Sequence, residues 1–165
     1  MRPTRLIATF FGAGLIRPGP GTWGSLAALP VAWLLHLAGS FWALVAATLV
    51  VFLLGWWVTI IETAGSDDPD PSEIVIDEVA GMWLALWPVS LGAMIQGVPI
   101  TALWPGWIAA FLAFRAFDIW KPGPVGLADR MHNPLGVMLD DIVAGALAAM
   151  VVALMAVAAH GMLGL

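Results

Sequence analysis

Two five-residue blocks of this chain share a pattern of acidic and small residues. Residues 77–81 (Asp-Glu-Val-Ala-Gly) and 141–145 (Asp-Ile-Val-Ala-Gly) both follow the form Asp-x-Val-Ala-Gly, and Asp140 precedes the second block. In a helix the glycine lies below the aspartate on the same side, so each block sets a carboxylate above a patch that a backbone or a ligand can approach. Such acids can be helix caps alone. Two adjacent acids at the start of two apolar stretches favour instead a metal or catalytic site at Asp77, Glu78, Asp140 and Asp141.

A second group of candidates follows in residues 114–124. Arg115, Asp118 and Lys121 recur every three residues, so a helix places them on one face. Arg115 and Asp118 can simply form an ion pair. Beside a carboxylate cluster, the basic side chains could also bind an anionic group that a metal holds. In the following loop, Arg130 is a further anion-binding candidate and His132 could assist proton transfer.

A glycine-rich segment near the start of the chain is the third candidate. Residues 12–25 contain Gly14, Gly21, Thr22 and Ser25, and they lead into the first long apolar stretch. Glycines let backbone N–H groups approach an anion, and Thr22 is placed to cap the following helix. A turn that merely enters a membrane would need similar residues. The segment is not a Walker loop, because no Gly-Lys-Ser/Thr ends it.

The elements that must position these side chains follow from the distribution of charge. Residues 18–61, 79–114 and 142–165 contain no Asp, Glu, Lys or Arg, and these runs are 44, 36 and 24 residues long. About 20 apolar residues cross a membrane as a helix, so the runs predict two, two and one crossings. All the charged residues then lie on one side of the membrane.

The predicted fold is an all-α, polytopic membrane helix bundle that forms one domain over residues 1–165. Residues 6–16 are too short to span and predict an interfacial or re-entrant segment. Five long helices are predicted, with short turns at 39–40 and 97–99. Their ranges are 22–38, 41–61, 79–96, 100–120 and 142–162.

Composition and the charge of the loops predict where the protein lies in the cell and how it is oriented. The chain is 61% hydrophobic and 10% charged, with a mean hydropathy of +0.95, which indicates an integral membrane protein. Lys and Arg are enriched in cytoplasmic loops, so the charged end and the N-terminus are predicted to be cytoplasmic. The formal net charge of -5 argues against nucleic acid as a partner. The absence of cysteine excludes thiolate chemistry.

Taken together in order along the chain, the motifs resemble bacterial phosphatidylglycerophosphatase A. The matching blocks span residues 11–25, 76–83, 114–124 and 129–145. The resemblance implies a Mg²⁺-dependent phosphatase of the bacterial inner membrane. Its implied reaction removes the terminal phosphate of phosphatidylglycerophosphate and leaves phosphatidylglycerol.

For this reaction we expect the following roles for the candidate residues. Asp77, Glu78, Asp140 and Asp141 would hold one or two Mg²⁺ ions, and Asp77, Asp118, Asp141 and Lys121 would take part in catalysis. The substrate phosphate would be bound by Gly14, Gly21, Thr22, Ser25, Arg115, Lys121 and Arg130. Both direct attack by water and an aspartyl-phosphate intermediate remain open.

Two other classes of protein compete with this interpretation. A CDP-alcohol phosphotransferase is also an acid-rich, Mg²⁺-using membrane bundle, but its Asp-Gly-x-x-Ala-Arg signature is absent from this sequence. A small transporter would need polar groups along the whole membrane path. The chain concentrates its charges at one end, which favours the enzyme.

Overall fold

The computed structural model describes residues 2–66, 68 and 70–163, the last four of these as backbone only. Within these residues all the regular structure is helical, which confirms the predicted all-α class. Four stretches are long and apolar enough to cross a membrane, namely Pro20–Thr63, Ile76–Gln96, Ile100–Trp120 and Pro134–Ala159. The α-helices are α1 (Pro3–Ala8), α2 (Pro20–Thr63), α3 (Ile76–Ala85), α4 (Trp87–Gln96), α5 (Trp104–Trp120), α6 (Pro124–Asp129) and α7 (Pro134–Leu163).

The long helix α2 is two membrane-length helices joined by a break. Its 44 residues would form a rod about twice as long as a bilayer core is thick. Helical geometry is lost at Gly39 (φ -159°, ψ 25°) and Ser40 (φ 58°, ψ -151°). The break falls at the turn predicted for residues 39–40, so α2 supplies two of the five predicted long helices.

Contacts with α3 and α4 show that the two halves of α2 run in opposite directions. Going up the first half of α2, the residues contacted in α3 and α4 also rise in number, so these helices are parallel. Going up the second half, the contacted residues fall in number, so these helices are antiparallel. The contacting pairs are Gly24 with Val75 and His36 with Ser90 in the first half, and Thr48 with Trp87 and Gly55 with Ile76 in the second. The start of α2, its end and the start of α3 therefore lie at one end of the bundle.

Helices α5 and α7 complete the bundle. Near its start, α5 places Gly106 against Val89 of α4, and further along it places Phe114 against Gly81 of α3, so it returns to the charged end. Helix α7 then leaves that end, because Asp141 lies beside Gly81 while Val152 shares a cavity wall with Val89. The chain makes an even number of passes along the bundle before each charged segment, which gathers those segments at one end, as predicted.

The predicted start of the last helix is wrong. α7 begins at Pro134 and not at 142, because charge marked the end of the apolar run and not the end of the helix, whereas α3 begins at Ile76, close to the predicted 79. Asn133 Oδ1 accepts a hydrogen bond from the Gly136 N–H at 2.8 Å, and Pro134 is a favoured first helical residue. Asp141 consequently lies two turns inside α7 and does not cap it.

The predicted cap at Thr22 is also wrong. Helix α2 begins at Pro20, and the residue before it is Gly19 in the left-handed conformation (φ 72°). Thr22 therefore lies within the first turn. Two other prolines lie at helix starts, since helicity is interrupted before Pro88 and α5 starts next to Pro105.

Candidate functional site

The two Asp-x-Val-Ala-Gly blocks lie at the point where α3 crosses α7. A Cβ atom on Gly81 would lie 2.5 Å from the Asp141 carbonyl oxygen, and a Cβ on Gly145 would overlap the Gly81 carbonyl. The two backbones therefore touch, and only glycine fits at these positions. This close approach, which the pattern predicted, brings Asp77 and Asp141 to the same side of the crossing.

Three carboxylates meet beside this crossing. Asp77, Glu78 and Asp141 each offer one oxygen, and the three oxygens all lie within 4.8 Å of one another. Asp77 is 6% exposed and Asp141 3%. Like charges this close and this buried repel each other strongly, and a cation among them would relieve that repulsion.

Several polar atoms at this place are buried and unpaired. Glu78 Oε2 and Asp141 Oδ1 have no hydrogen-bond partner within the described part of the chain. An unsatisfied buried acceptor costs about 1–3 kcal/mol, and more if it is charged. Both orphaned oxygens belong to the three-carboxylate group, and Mg²⁺ prefers carboxylate oxygens. No basic side chain of the described residues pairs with these two oxygens. The three carboxylates therefore fit a divalent cation.

Arg115 supplies positive charge at the edge of the cluster. In the last turns of α5, it forms an ion pair with Asp118, and its Nη1 atom lies 3.5 Å from Ser25 Oγ. Its Nε atom is buried and has no partner among the described residues. The unpaired Arg115 Nε donor therefore lies near the unpaired carboxylate oxygens. A site that binds an anion next to a cation needs both kinds of group.

The beginning of α2 forms another wall of the site. A Cβ on Gly21 would overlap the Glu78 carboxylate and lie 3.2 Å from Arg115 Nη1. Ser25, one turn further, is fully buried and donates to the Gly21 carbonyl at 2.8 Å. Thr22 is next to Gly21 and partly exposed. Gly14, however, packs against the Glu73 carbonyl and Val75, away from the three carboxylates.

Lys121 and Asp140 form a separate group. Lys121 ends α5 in the left-handed conformation (φ 47°), and its Nζ atom lies 2.8 Å from Asp140 Oδ2 and pairs with Asp129. Asp140 Oδ1 accepts from the Asp141 N–H at 3.0 Å. Asp140 thus faces a cavity of about 200 Å³ that Asp70, Asp129 and His132 also line. Asp129 was not among the predicted site residues, although it begins the matching block 129–145 and follows Lys121 by eight residues, across a Pro-Gly-Pro turn.

Lys121 is protonated at neutral pH. Partial burial lowers its pKa, but hydrogen bonds and charge pairing with Asp129 and Asp140 outweigh that effect and raise the pKa above its usual value. Folding therefore favours the protonated amine. This contribution to stability is complete below the usual lysine pKa of about 10.4 and is lost only as pH rises through the folded-state pKa.

Two predicted residues lie outside the three-carboxylate cluster. Arg130 is exposed, and its guanidinium forms no ion pair with any described residue. His132 is exposed too, and its Nδ1 atom lies 2.6 Å from the Arg130 carbonyl. Both residues belong to the loop beside Asp129, so neither contacts Asp77, Glu78 or Asp141.

Comparisons with known proteins agree with the geometry. A family model described as phosphatidylglycerophosphatase A matches residues 6–156. A Haemophilus influenzae protein of that name is 36% identical over 153 residues, covering 92% of this chain and 88% of the relative. An Escherichia coli protein of the same name is 37% identical over 150 residues, covering 89% and 80%. A Bacteroides thetaiotaomicron protein, provisionally named phosphatidylinositol-3-phosphatase, is 34% identical over 146 residues, 85% of each chain. No solved structure matches.

Proposed function

The chain belongs to the phosphatidylglycerophosphatase A family of phosphatases, and on that premise we propose that it hydrolyses the terminal phosphate of phosphatidylglycerophosphate in a Mg²⁺-dependent reaction. The proposed products are phosphatidylglycerol and inorganic phosphate. One observation carries the proposal. Three buried carboxylates with two unpaired oxygens lie beside an arginine with an unpaired Nε.

The three carboxylates are the proposed metal ligands. Asp77, Glu78 and Asp141 would hold Mg²⁺, which when bound polarises a phosphoryl group and makes a water more acidic. Asp140, predicted as a fourth ligand, is engaged by Lys121 instead, so we assign it to positioning the Lys121 ammonium. Lys121 in turn adds a fixed positive charge at the rim of the site.

Arg115 is the proposed phosphate-binding residue. Its unpaired Nε can donate to a phosphate oxygen while Asp118 holds the other side of the guanidinium. Ser25 Oγ can accept a hydrogen bond from Arg115 Nη1. Gly21 leaves space between Arg115 and Glu78 that a side chain would fill. These residues would orient the phosphate towards the carboxylates.

In the proposed reaction, the oxygen of a water bonds to phosphorus and the bond from phosphorus to the glycerol oxygen breaks. The water loses one proton and the departing oxygen gains one, so the protons balance. Asp118 is our candidate for the group that accepts the proton of the water. It forms an ion pair with Arg115, the proposed phosphate-binding residue, and it lies outside the group of three carboxylates.

Orientation and domain structure complete the proposal. The basic residues Arg2, Arg5, Arg17, Lys121 and Arg130 all lie in segments at the charged end, which the enrichment of Lys and Arg in cytoplasmic loops would place in the cytoplasm of a bacterial cell. We treat residues 1–165 as one catalytic domain, because α2, α3, α5 and α7 all contribute to the site.

Phosphate release by the purified protein in detergent tests this function. We expect release from phosphatidylglycerophosphate with Mg²⁺ and none after chelation, since the carboxylates would then repel one another and the phosphate. A parallel reaction with phosphatidylinositol 3-phosphate tests the substrate suggested by the Bacteroides relative. Absence of release from phosphatidylglycerophosphate in both conditions would refute the proposal.

Arg115→Lys tests the role of the guanidinium. The variant keeps a positive charge near Asp118 but loses the Nε donor and the planar fork, so we expect kcat/KM to fall by about a hundredfold. Arg130→Lys is the matched control, because Arg130 is exposed in the same end of the bundle, and its kcat/KM should equal that of the wild type. Equal losses in the two variants would remove Arg115 from the phosphate site.

A further inference from the structure

The N-terminal surface, defined as residues 2–17, presents apolar and basic side chains outwards together. Phe11 is 75% exposed, and Leu15 and Ile16 are also exposed. Arg2 and Arg17 flank them and are exposed as well. Exposed aromatic and aliphatic side chains bordered by basic ones are typical of segments that lie in a membrane interface.

The backbone holds Phe11 outwards at a cost. Phe10 and Phe11 both have positive φ, 43° and 57°, a conformation that bulky residues rarely adopt. This turn packs Phe10 edge-on against Trp83 in the core and leaves Phe11 on the surface. Costly backbone conformations persist where the surrounding structure enforces them, and they often mark functional positions.

Charge sets this surface apart from the rest of the chain. Residues 2–17 hold three arginines and no acid, whereas the rest of the chain holds three basic residues and all eleven acidic ones. Arg5 is committed to Glu73 at 2.6 Å. Arg17 donates to Ser72 Oγ at 3.1 Å and lies 3.8 Å from Glu73, yet 61% of its side chain is exposed. Arg2 and the exposed part of Arg17 are thus the basic groups that can face a partner.

From these observations we propose that the N-terminal surface binds anionic phospholipid headgroups, with Phe11, Leu15 and Ile16 entering the edge of the acyl region. The surface lies at the charged end of the bundle, where Thr4 and Arg5 contact Glu62 and Glu73, and its exposed arginines complement anionic lipids. Helix α1 has only six residues, which leaves little helical face for a protein partner. The occupant is therefore the lipid layer that surrounds the bundle.

Binding would also fix the segment that leads into α3. The Ala8 carbonyl accepts from the Val75 N–H at 2.9 Å, and Arg5 holds Glu73. Asp77 and Glu78 follow directly. A lipid-bound N-terminal surface would therefore hold the start of α3 at a set depth relative to the headgroups, a consequence that rests on the proposed function.

Spin labelling of the full chain in nanodiscs tests the proposal without using catalysis. The chain contains no cysteine, so Phe11→Cys carries a single nitroxide, and Asp68→Cys, exposed in the acidic loop, is the control. The measured quantity is accessibility to oxygen, which enters lipid, relative to a water-soluble nickel complex. Discs contain phosphatidylcholine alone or with phosphatidylglycerol. Ile16→Cys repeats the measurement where the backbone is unstrained (φ -79°).

We expect the labels at 11 and 16 to be shielded from nickel in discs with phosphatidylglycerol and more accessible in discs without it. In an Arg2→Gln, Arg17→Gln background, the ratio of inserted to water-exposed label should fall about fivefold for each arginine. The label at 68 should stay accessible throughout. Labels at 11 and 16 as accessible as the one at 68, or insertion independent of anionic lipid and of the arginines, would overturn the proposal.

Discussion

Asp141→Asn is expected to lower kcat/KM for phosphate release by about a thousandfold or more. The substitution removes one of three carboxylates that share a buried space, and with it the unpaired Oδ1 charge proposed to hold the metal. Losses of this size are usual when a group that acts on the reacting centre is removed. Initial rates with saturating Mg²⁺ measure the effect.

Two controls separate this loss from misfolding. Glu62→Gln makes the same change of acid to amide at the charged end, where Glu62 accepts from Thr4 at 2.5 Å outside the cluster, and it should retain wild-type kcat/KM. Without Mg²⁺, Asp141→Asn should unfold at the same temperature as the wild type or higher, since one repelling charge is gone. Near-normal activity, or a loss shared with Glu62→Gln, would contradict the prediction.

Gly145→Ala is expected to destabilise the bundle by about 3 kcal/mol or more, because backbone must move to accept the new methyl group. Its Cβ would overlap the carbonyl of Gly81 on the facing helix. No flexible side chain can yield there, so α3 and α7 must separate. Thermal unfolding in detergent, followed by circular dichroism, measures the shift.

Gly92→Ala in α4 is the matched control. The nearest atom to its Cβ is Leu103 Cδ1 at 3.5 Å, an ordinary contact. Because alanine is the better helix former, this variant should equal or exceed wild-type stability by up to about 1 kcal/mol. A neutral Gly145→Ala, or equal losses in the two variants, would show that the crossing of α3 and α7 is looser than described.

The sequence was sufficient to predict the bundle because lipid excludes charge from helices that cross it. The three charge-free runs set the number of crossings, and Gly39-Ser40 marked the turn within the first run. The repeated Asp-x-Val-Ala-Gly pattern identified the helix crossing, since glycine at those positions leaves room only for a backbone. These features can be read from the sequence, because each depends on the type and spacing of residues close together in the chain.

The details of the site depend on the residue at which α7 begins. The distribution of charged residues could not predict that residue. Asn133 and Pro134 start the helix within the charged segment, so Asp140 and Asp141 are consecutive helical residues that point about 100° apart. One joins Asp77 and the other turns to Lys121. Likewise, composition grouped Gly14 with Gly21, but only the fold shows that Gly14 packs on Glu73.

Binding of Mn²⁺, a spectroscopic substitute for Mg²⁺, tests the central claim that Asp77, Glu78 and Asp141 hold a divalent cation. Electron paramagnetic resonance of the detergent-purified protein measures free Mn²⁺ during a titration. We predict that the wild type and Glu62→Gln bind Mn²⁺ equally and release it to Mg²⁺. Asp141→Asn should bind at least about tenfold more weakly, since even loss of an outer-shell partner costs that much. Equal binding by the wild type and Asp141→Asn would contradict the account.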